Sequence, residues 1–129
     1  MVGIVVISHS SKVAEGVKEL ALQMADNVPI VAAGGTSDNG LGTDIEKIIL
    51  AINQVYSEDG VAILFDLGSA YMNAQMAIET LSEEMQKNIM VVDAALVEGA
   101  IVVAVESSIG KNLIEIQGAV KSLCLHKMP

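Results

Sequence analysis

One pattern constrains this chain more than any other. Short apolar runs alternate with stretches of helical spacing. The runs are residues 2–7 (VGIVVI), 29–33 (PIVAA), 60–65 (GVAILF) and 88–92 (NIMVV). They are apolar at consecutive positions, not at every second one, so each needs cover on both faces. Behind the first run, Val13, Val17, Leu20, Ala21 and Met24 fall on one helical stripe. Ile45, Ile48, Ile49, Ile52 and Val55 do the same before the third run, and Met72, Met76, Ala77 and Thr80 after it. An apolar helix behind residue 93 stops at Ser107-Ser108-Ile109-Gly110, and Leu113, Ile116, Val120 and Leu123 mark a last amphipathic segment. Strand–helix alternation of this kind predicts a doubly wound α/β fold. Its four-stranded sheet is mainly parallel, in the order 2-1-3-4, with helices on both faces. Residues 1–129 fit a single domain.

Punctuation between the elements agrees with this frame. Pro29 opens the second run, where a missing N–H is tolerated. The loop at 34–43 (GGTSDNGLGT) ends in Thr43-Asp44-Ile45-Glu46, the pattern of a capping box. Ser10 or Ser11 can cap the helix after the first run, and Asp93 the helix after the fourth. Asp38, Asp44, Glu83 and Glu84 read as solvated surface or caps.

Composition removes several function classes. Seven basic residues face sixteen acidic ones, a net charge of −9, which repels nucleic acid and anionic membrane surfaces alike. Aromatic residues make up 2%, too few for base-stacking platforms. The apolar stretch 89–105 is broken by Asp93, Glu98 and Gly99, whereas a membrane-spanning helix needs about 20 apolar residues in succession. No secretory leader is evident at the N-terminus, so a cytoplasmic protein is expected. Cys124 stands alone and reads as a small apolar residue near a helix end, and His126 falls in a tail expected to fray. His9 and His126 offer no metal-ligand spacing, so no metal is expected.

In sheets of this kind ligands gather beyond the carboxyl ends of the strands, where the winding reverses. His9 stands at that edge after the first strand, and Asp66 after the third. In the order 2-1-3-4 the two are neighbours. A carboxylate that accepts one ring N–H fixes the tautomer and leaves the other nitrogen nucleophilic. A serine can cap the helix, so the imidazole is not needed for that purpose. Backbone amides of the 34–43 loop and of Gly68-Ser69 are candidate anion donors. No nucleotide fingerprint, G-x-S-x-G elbow or receiver-type acidic pair is present. A histidine nucleophile with an orienting carboxylate and no nucleotide site suits a phosphocarrier.

The order and spacing of these segments resemble a known family. Ser8-His9-Ser10 after an apolar strand, Gly34-Gly35-Thr36, Gly42-Thr43 and FDLGSAYMNAQMAIETL at 65–81 are similar to the DhaM family. These are phosphocarriers of the phosphoenolpyruvate-dependent dihydroxyacetone kinase, related to mannose-type EIIA domains. The resemblance covers essentially the whole chain and implies an EIIA-mannose-like fold. Mannose-type EIIA domains tend to carry Thr-His-Gly where this chain has Ser8-His9-Ser10, which favours DhaM.

The resemblance implies that His9 takes a phosphoryl group from phospho-HPr, on Nε2, with Asp66 holding Nδ1–H. The group then passes to ADP on DhaL, and the ATP so formed serves DhaK. Ser10, Gly35, Thr36, Gly68 and Ser69 are the expected phosphate-binding residues, no cofactor is expected on this chain, and a homodimer is implied. The helix bearing Met72 and Met76 is a candidate dimer contact, with core packing as the alternative. Other readings stay open at this level: a sugar-uptake EIIA domain, a regulatory phosphohistidine module, or a small-ligand-binding domain.

Overall fold

Strand β1 (Gly3–Ser8) is buried along all six of its residues, which requires neighbours at both edges and cover on both faces. The computed structural model describes residues 1–129. It sets β2 (Ile30–Gly34), β3 (Val61–Phe65) and β4 (Ile89–Val92) around β1. The order is β2-β1-β3-β4 and every pair is parallel. The expected doubly wound α/β sheet is therefore present, strand order included.

Six α-helices cover it: α1 (Ser11–Met24), α2 (Ile45–Val55), α3 (Gly68–Glu79), α4 (Glu83–Gln86), α5 (Leu96–Ser108) and α6 (Leu113–Ala119). The period-2 alternation of β1 divides the core. Ile4 and Val6 pack with Ala14, Val17, Ala21 and Val103, on the side of α1 and α5. Val5 and Ile7 pack with Ile48, Ile52, Ala70 and Ala74, on the side of α2 and α3. The chain leaves β1 for one face and β3 for the other. The winding thus reverses between these two adjacent strands, and a crevice opens at their carboxyl ends.

Several local expectations are corrected. The N-cap of α2 is Asp44, not Thr43: the Asp44 carboxylate accepts from Glu46 N at 2.8 Å. Thr43 is instead engaged by the Asn73 amide, so its hydroxyl ties the start of α2 to α3. Asp93 does not cap α5, whose N-cap is Ala95 with no side-chain bond. The buried stripe of α3 is Ala70, Ala74, Ala77 and Ile78, while Met72 and Met76 face outward at 56% and 53% exposure. Core packing by those methionines is excluded, because α3 meets the sheet through alanines that allow a close approach. Glu83 and Glu84 lie in the short α4, capped by Ser82. The tail folds back on the sheet edge. The amide of Ala95 donates to Leu123 O at 2.9 Å, and Lys127 Nζ donates to Phe65 O at 2.7 Å. No helix is long and apolar enough to cross a membrane.

Candidate functional site

The register Ile7↔Phe65 brings the residues that follow each strand side by side. Ser8, His9 and Asp66 therefore meet at the crevice. The Asp66 carboxylate receives four hydrogen bonds. Its Oδ2 accepts from Ser8 Oγ and from the His9 backbone N–H, both at 2.9 Å. Its Oδ1 accepts from Leu67 N at 2.7 Å and faces His9 Nδ1 at 2.9 Å. Two donors per oxygen saturate a carboxylate. Burial by itself would raise the Asp66 carboxyl, but the bonds from His9, Ser8 and Leu67 outweigh it and hold it below the ordinary value. An ionised Asp66 can only accept, so Nδ1 carries the proton in a neutral His9. The other nitrogen, Nε2, then presents its lone pair and accepts from Ser69 Oγ at 2.7 Å.

The backbone of His9 is fixed at both ends. Its N–H is held by Asp66, and its carbonyl accepts from Gly42 N at 2.7 Å. The side chain keeps 27% exposure, so Nε2 remains reachable from solvent. Ser10 is the N-cap of α1, with its hydroxyl accepting from Val13 N at 3.3 Å. The imidazole is thereby released from capping.

The glycine loop has a different character from that expected of an anion cradle. Gly35 N donates to Ser8 O, and Thr36 N donates to Gly40 O. The Thr36 hydroxyl donates to Asp38 at 2.6 Å and accepts from Gly40 N at 3.0 Å. These groups are spent within the loop and on β1. Lys47 adds a brace, donating to Gly34 O at 3.0 Å and to Asn39 at 2.8 Å. The loop meets the site through Gly42. At the other side, α3 begins at Gly68 with no side-chain cap, so the amides of Gly68 and Ser69 have no intrahelical acceptor. They lie next to the Ser69 hydroxyl that touches Nε2.

Ser8 was not singled out by sequence reasoning. The signal was available: a hydroxyl at the end of a strand buried on both faces must find a partner, and Ser8 is 1% exposed. Lys127 also escaped notice, since nothing in a tail sequence shows that it folds back on Phe65.

Comparison with known proteins agrees with this geometry. Residues 3–117 match the EIIA-man family, described as PTS system fructose IIA component. The phosphoryl donor subunit DhaM of the phosphoenolpyruvate-dependent dihydroxyacetone kinase 2 of Listeria innocua is 39% identical, over 87% of this chain and 90% of its own length. The DhaM subunit of Escherichia coli is also 39% identical, over 88% of this chain, but the match spans 25% of that longer protein. Among solved structures, the unknown function protein EF1359 superposes with a TM-score of 0.84 at 38% identity, covering 94% of this chain and 93% of that one. The chain belongs to the EIIA-man family, among its DhaM-type phosphocarriers.

Proposed function

We propose that His9 is the phosphoryl carrier, accepting the group from phospho-HPr and delivering it to ADP held by a DhaL subunit for the phosphorylation of dihydroxyacetone by DhaK. The observation that carries this reading is the division of labour at the imidazole. Nδ1 is engaged by Asp66 at 2.9 Å, while Nε2 meets only a rotatable hydroxyl, that of Ser69. In the first step the Nε2 lone pair attacks phosphorus. The bond between phosphorus and the donor nitrogen breaks, and its electron pair stays with the donor. The phosphorylated ring, still protonated at Nδ1, is cationic, and the Asp66 carboxylate stabilises that charge. The Ser69 hydroxyl turns to a phosphoryl oxygen, and the free amides of Gly68 and Ser69 supply further donors. In the second step a β-phosphate oxygen of ADP attacks, the N–P bond breaks, and the pair returns to Nε2.

All of this chemistry uses side chains and backbone of the chain itself, so no cofactor on this subunit is invoked. Names borne by the relatives favour dihydroxyacetone phosphorylation over sugar uptake, which shares the first step. A homodimer through α3 is part of the proposal, supported by the outward Leu67, Met72 and Met76 at 59%, 56% and 53% exposure.

Incubation with phosphoenolpyruvate, EI and HPr tests the first step. An acid-labile, base-stable phosphate on His9 is expected, absent in His9→Ala. Addition of DhaL, DhaK and dihydroxyacetone tests the second. Phosphorylated His9 that never yields dihydroxyacetone phosphate would refute the assignment of acceptor while leaving the carrier role in place.

A further inference from the structure

Residues 124–129 have no regular secondary structure, yet they are anchored across the site's edge. The amide of Met128 donates to Asp93 Oδ2 at 2.9 Å, at the end of β4. Lys127 Nζ donates to Phe65 O at 2.7 Å and stands 4.7 Å from the Phe65 ring centroid. The Lys127 carbonyl lies 3.7 Å from the place a Cβ on Gly68 would occupy, against the first residue of α3. The segment thus passes from β4 across the end of β3 to the start of α3. It brackets the Phe65–Asp66 peptide, from which Asp66 reaches His9.

The electrostatics of this position are unusual for a lysine, which generally keeps its ammonium in water. Burial makes the Lys127 ammonium harder to keep charged, and the carboxylates of Asp93 and Asp66 act against that. Asp93 Oδ1 is itself buried without a hydrogen-bond partner, a state that costs free energy unless a nearby charge offsets it. Two carboxylates therefore stand at the ends of β3 and β4, and the half-buried Lys127 ammonium lies within the field of both. A phosphoryl group carried on Nε2 adds further negative charge to the same crevice, in a chain whose net charge is already −9.

We infer that Lys127 is a positioning and charge-balancing residue of phosphoryl transfer, fixing the Phe65–Asp66 peptide and offsetting the negative charge of the phosphorylated state. The inference rests on the reading of His9 as phosphoryl carrier. Its consequence is thermodynamic: Lys127 stabilises phospho-His9 relative to the free histidine. Removing one partly shielded charge from the crevice shifts such an equilibrium by roughly three- to tenfold.

The test is the equilibrium occupancy of phospho-His9 at a fixed ratio of phospho-HPr to HPr, in wild type, Lys127→Met and Lys127→Arg. Met keeps the apolar stem and loses the charge; Arg keeps the charge. The expected result is a three- to tenfold lower phospho-to-free ratio in Lys127→Met, with Lys127→Arg near wild type. The Nδ1–H proton resonance of His9 should also move in Lys127→Met, since Asp66 then sits in a changed field. If Lys127→Met does not fold, Lys127→Gln against Lys127→Arg reads the same charge. Equal ratios in all variants, or an equal drop in Lys127→Arg and Lys127→Met, would overturn the inference. A wild type that takes no label on His9 would overturn the carrier reading as well, so the two failures are distinct.

Discussion

The Ser8 hydroxyl and the Asp66 carboxylate meet at 2.9 Å across the seam between β1 and β3, 58 positions apart in sequence. Ser8 also accepts from the Ser10 amide at 3.1 Å. One buried hydroxyl therefore links the carboxylate that holds His9 to the residue that caps α1. Around it, every hydrogen-bonding group that sets the ring is already spoken for before a phosphoryl group arrives.

Ser8→Ala should show this directly. The substitution leaves the Ser10 N–H without its acceptor and removes one donor from Asp66. A loss of about 1–3 kcal/mol in stability is expected from denaturant unfolding. The Asp66 carboxyl should rise toward its ordinary value, because one of the bonds that lowers it is gone. A carboxyl unmoved in a carbon-13 NMR titration would remove Ser8 from the site.

Asp66→Asn asks more of the site. The amide can present one oxygen only, while four donors converge on the position. Nδ1–H then lacks a charged partner, and the cationic phosphorylated ring loses its counter-charge. The rate of phosphoryl uptake by His9, followed by rapid quench, should fall about 100-fold. Retention of the wild-type rate would show that ring orientation by Asp66 is dispensable.

Acid stability follows from the same carboxylate. Its folded pKa is depressed, whereas the unfolded carboxyl titrates near about 3.9. Between those values the unfolded chain binds more protons, so stability falls as pH falls. The contribution is complete above about pH 5 and is lost as pH drops through the folded value. Asp38, lowered by its bond from Thr36, is present in wild type and variant alike and cancels in the comparison. Thermal unfolding from pH 5 downward should therefore be steeper for wild type than for Asp66→Ala. Parallel curves would assign the acid lability elsewhere.

Gly34→Ala tests how tightly the loop is set against the site. A Cβ there would come within 2.6 Å of Ser10 O and 2.7 Å of Ala14 Cβ. Both belong to the start of α1, so β2 or α1 must shift. A cost of about 1–3 kcal/mol is expected, together with slower phosphoryl uptake, since α1 begins two residues after His9. Stability equal to wild type would mean that the α1 start yields freely.

The opening turns show how local signals and tertiary context divide the work. Ser10 caps α1 as its sequence suggests, because an N-cap needs only the residues that follow it. Thr43 matches a capping box just as well on paper, yet Asp44 takes the cap and Thr43 binds Asn73, 30 positions away. Met72 and Met76 keep the helical spacing of a core stripe, but the core face of α3 belongs to alanines. Spacing says that one face is apolar; it does not say which of two candidate faces meets the sheet.

By itself the sequence determined the layered α/β fold and put His9 and Asp66 at the carboxyl ends of their strands; the two meet because the strand order is β2-β1-β3-β4. The reason is that strand burial, helical periodicity and right-handed crossovers are local or topological rules, and they leave few arrangements for four such strands. Only the tertiary structure decided what surrounds that pair. Ser8 enters the site because its hydroxyl is sealed against Asp66. Gly35 and Thr36 turn inward because their amides are consumed by β1 and by their own loop. Lys127 arrives from the far end of the chain because Phe65 O accepts its ammonium and the nearby charges of Asp93 and Asp66 favour it there. Each of these depends on polar groups brought together from distant positions and deprived of water, a condition that no pattern of neighbouring residues records.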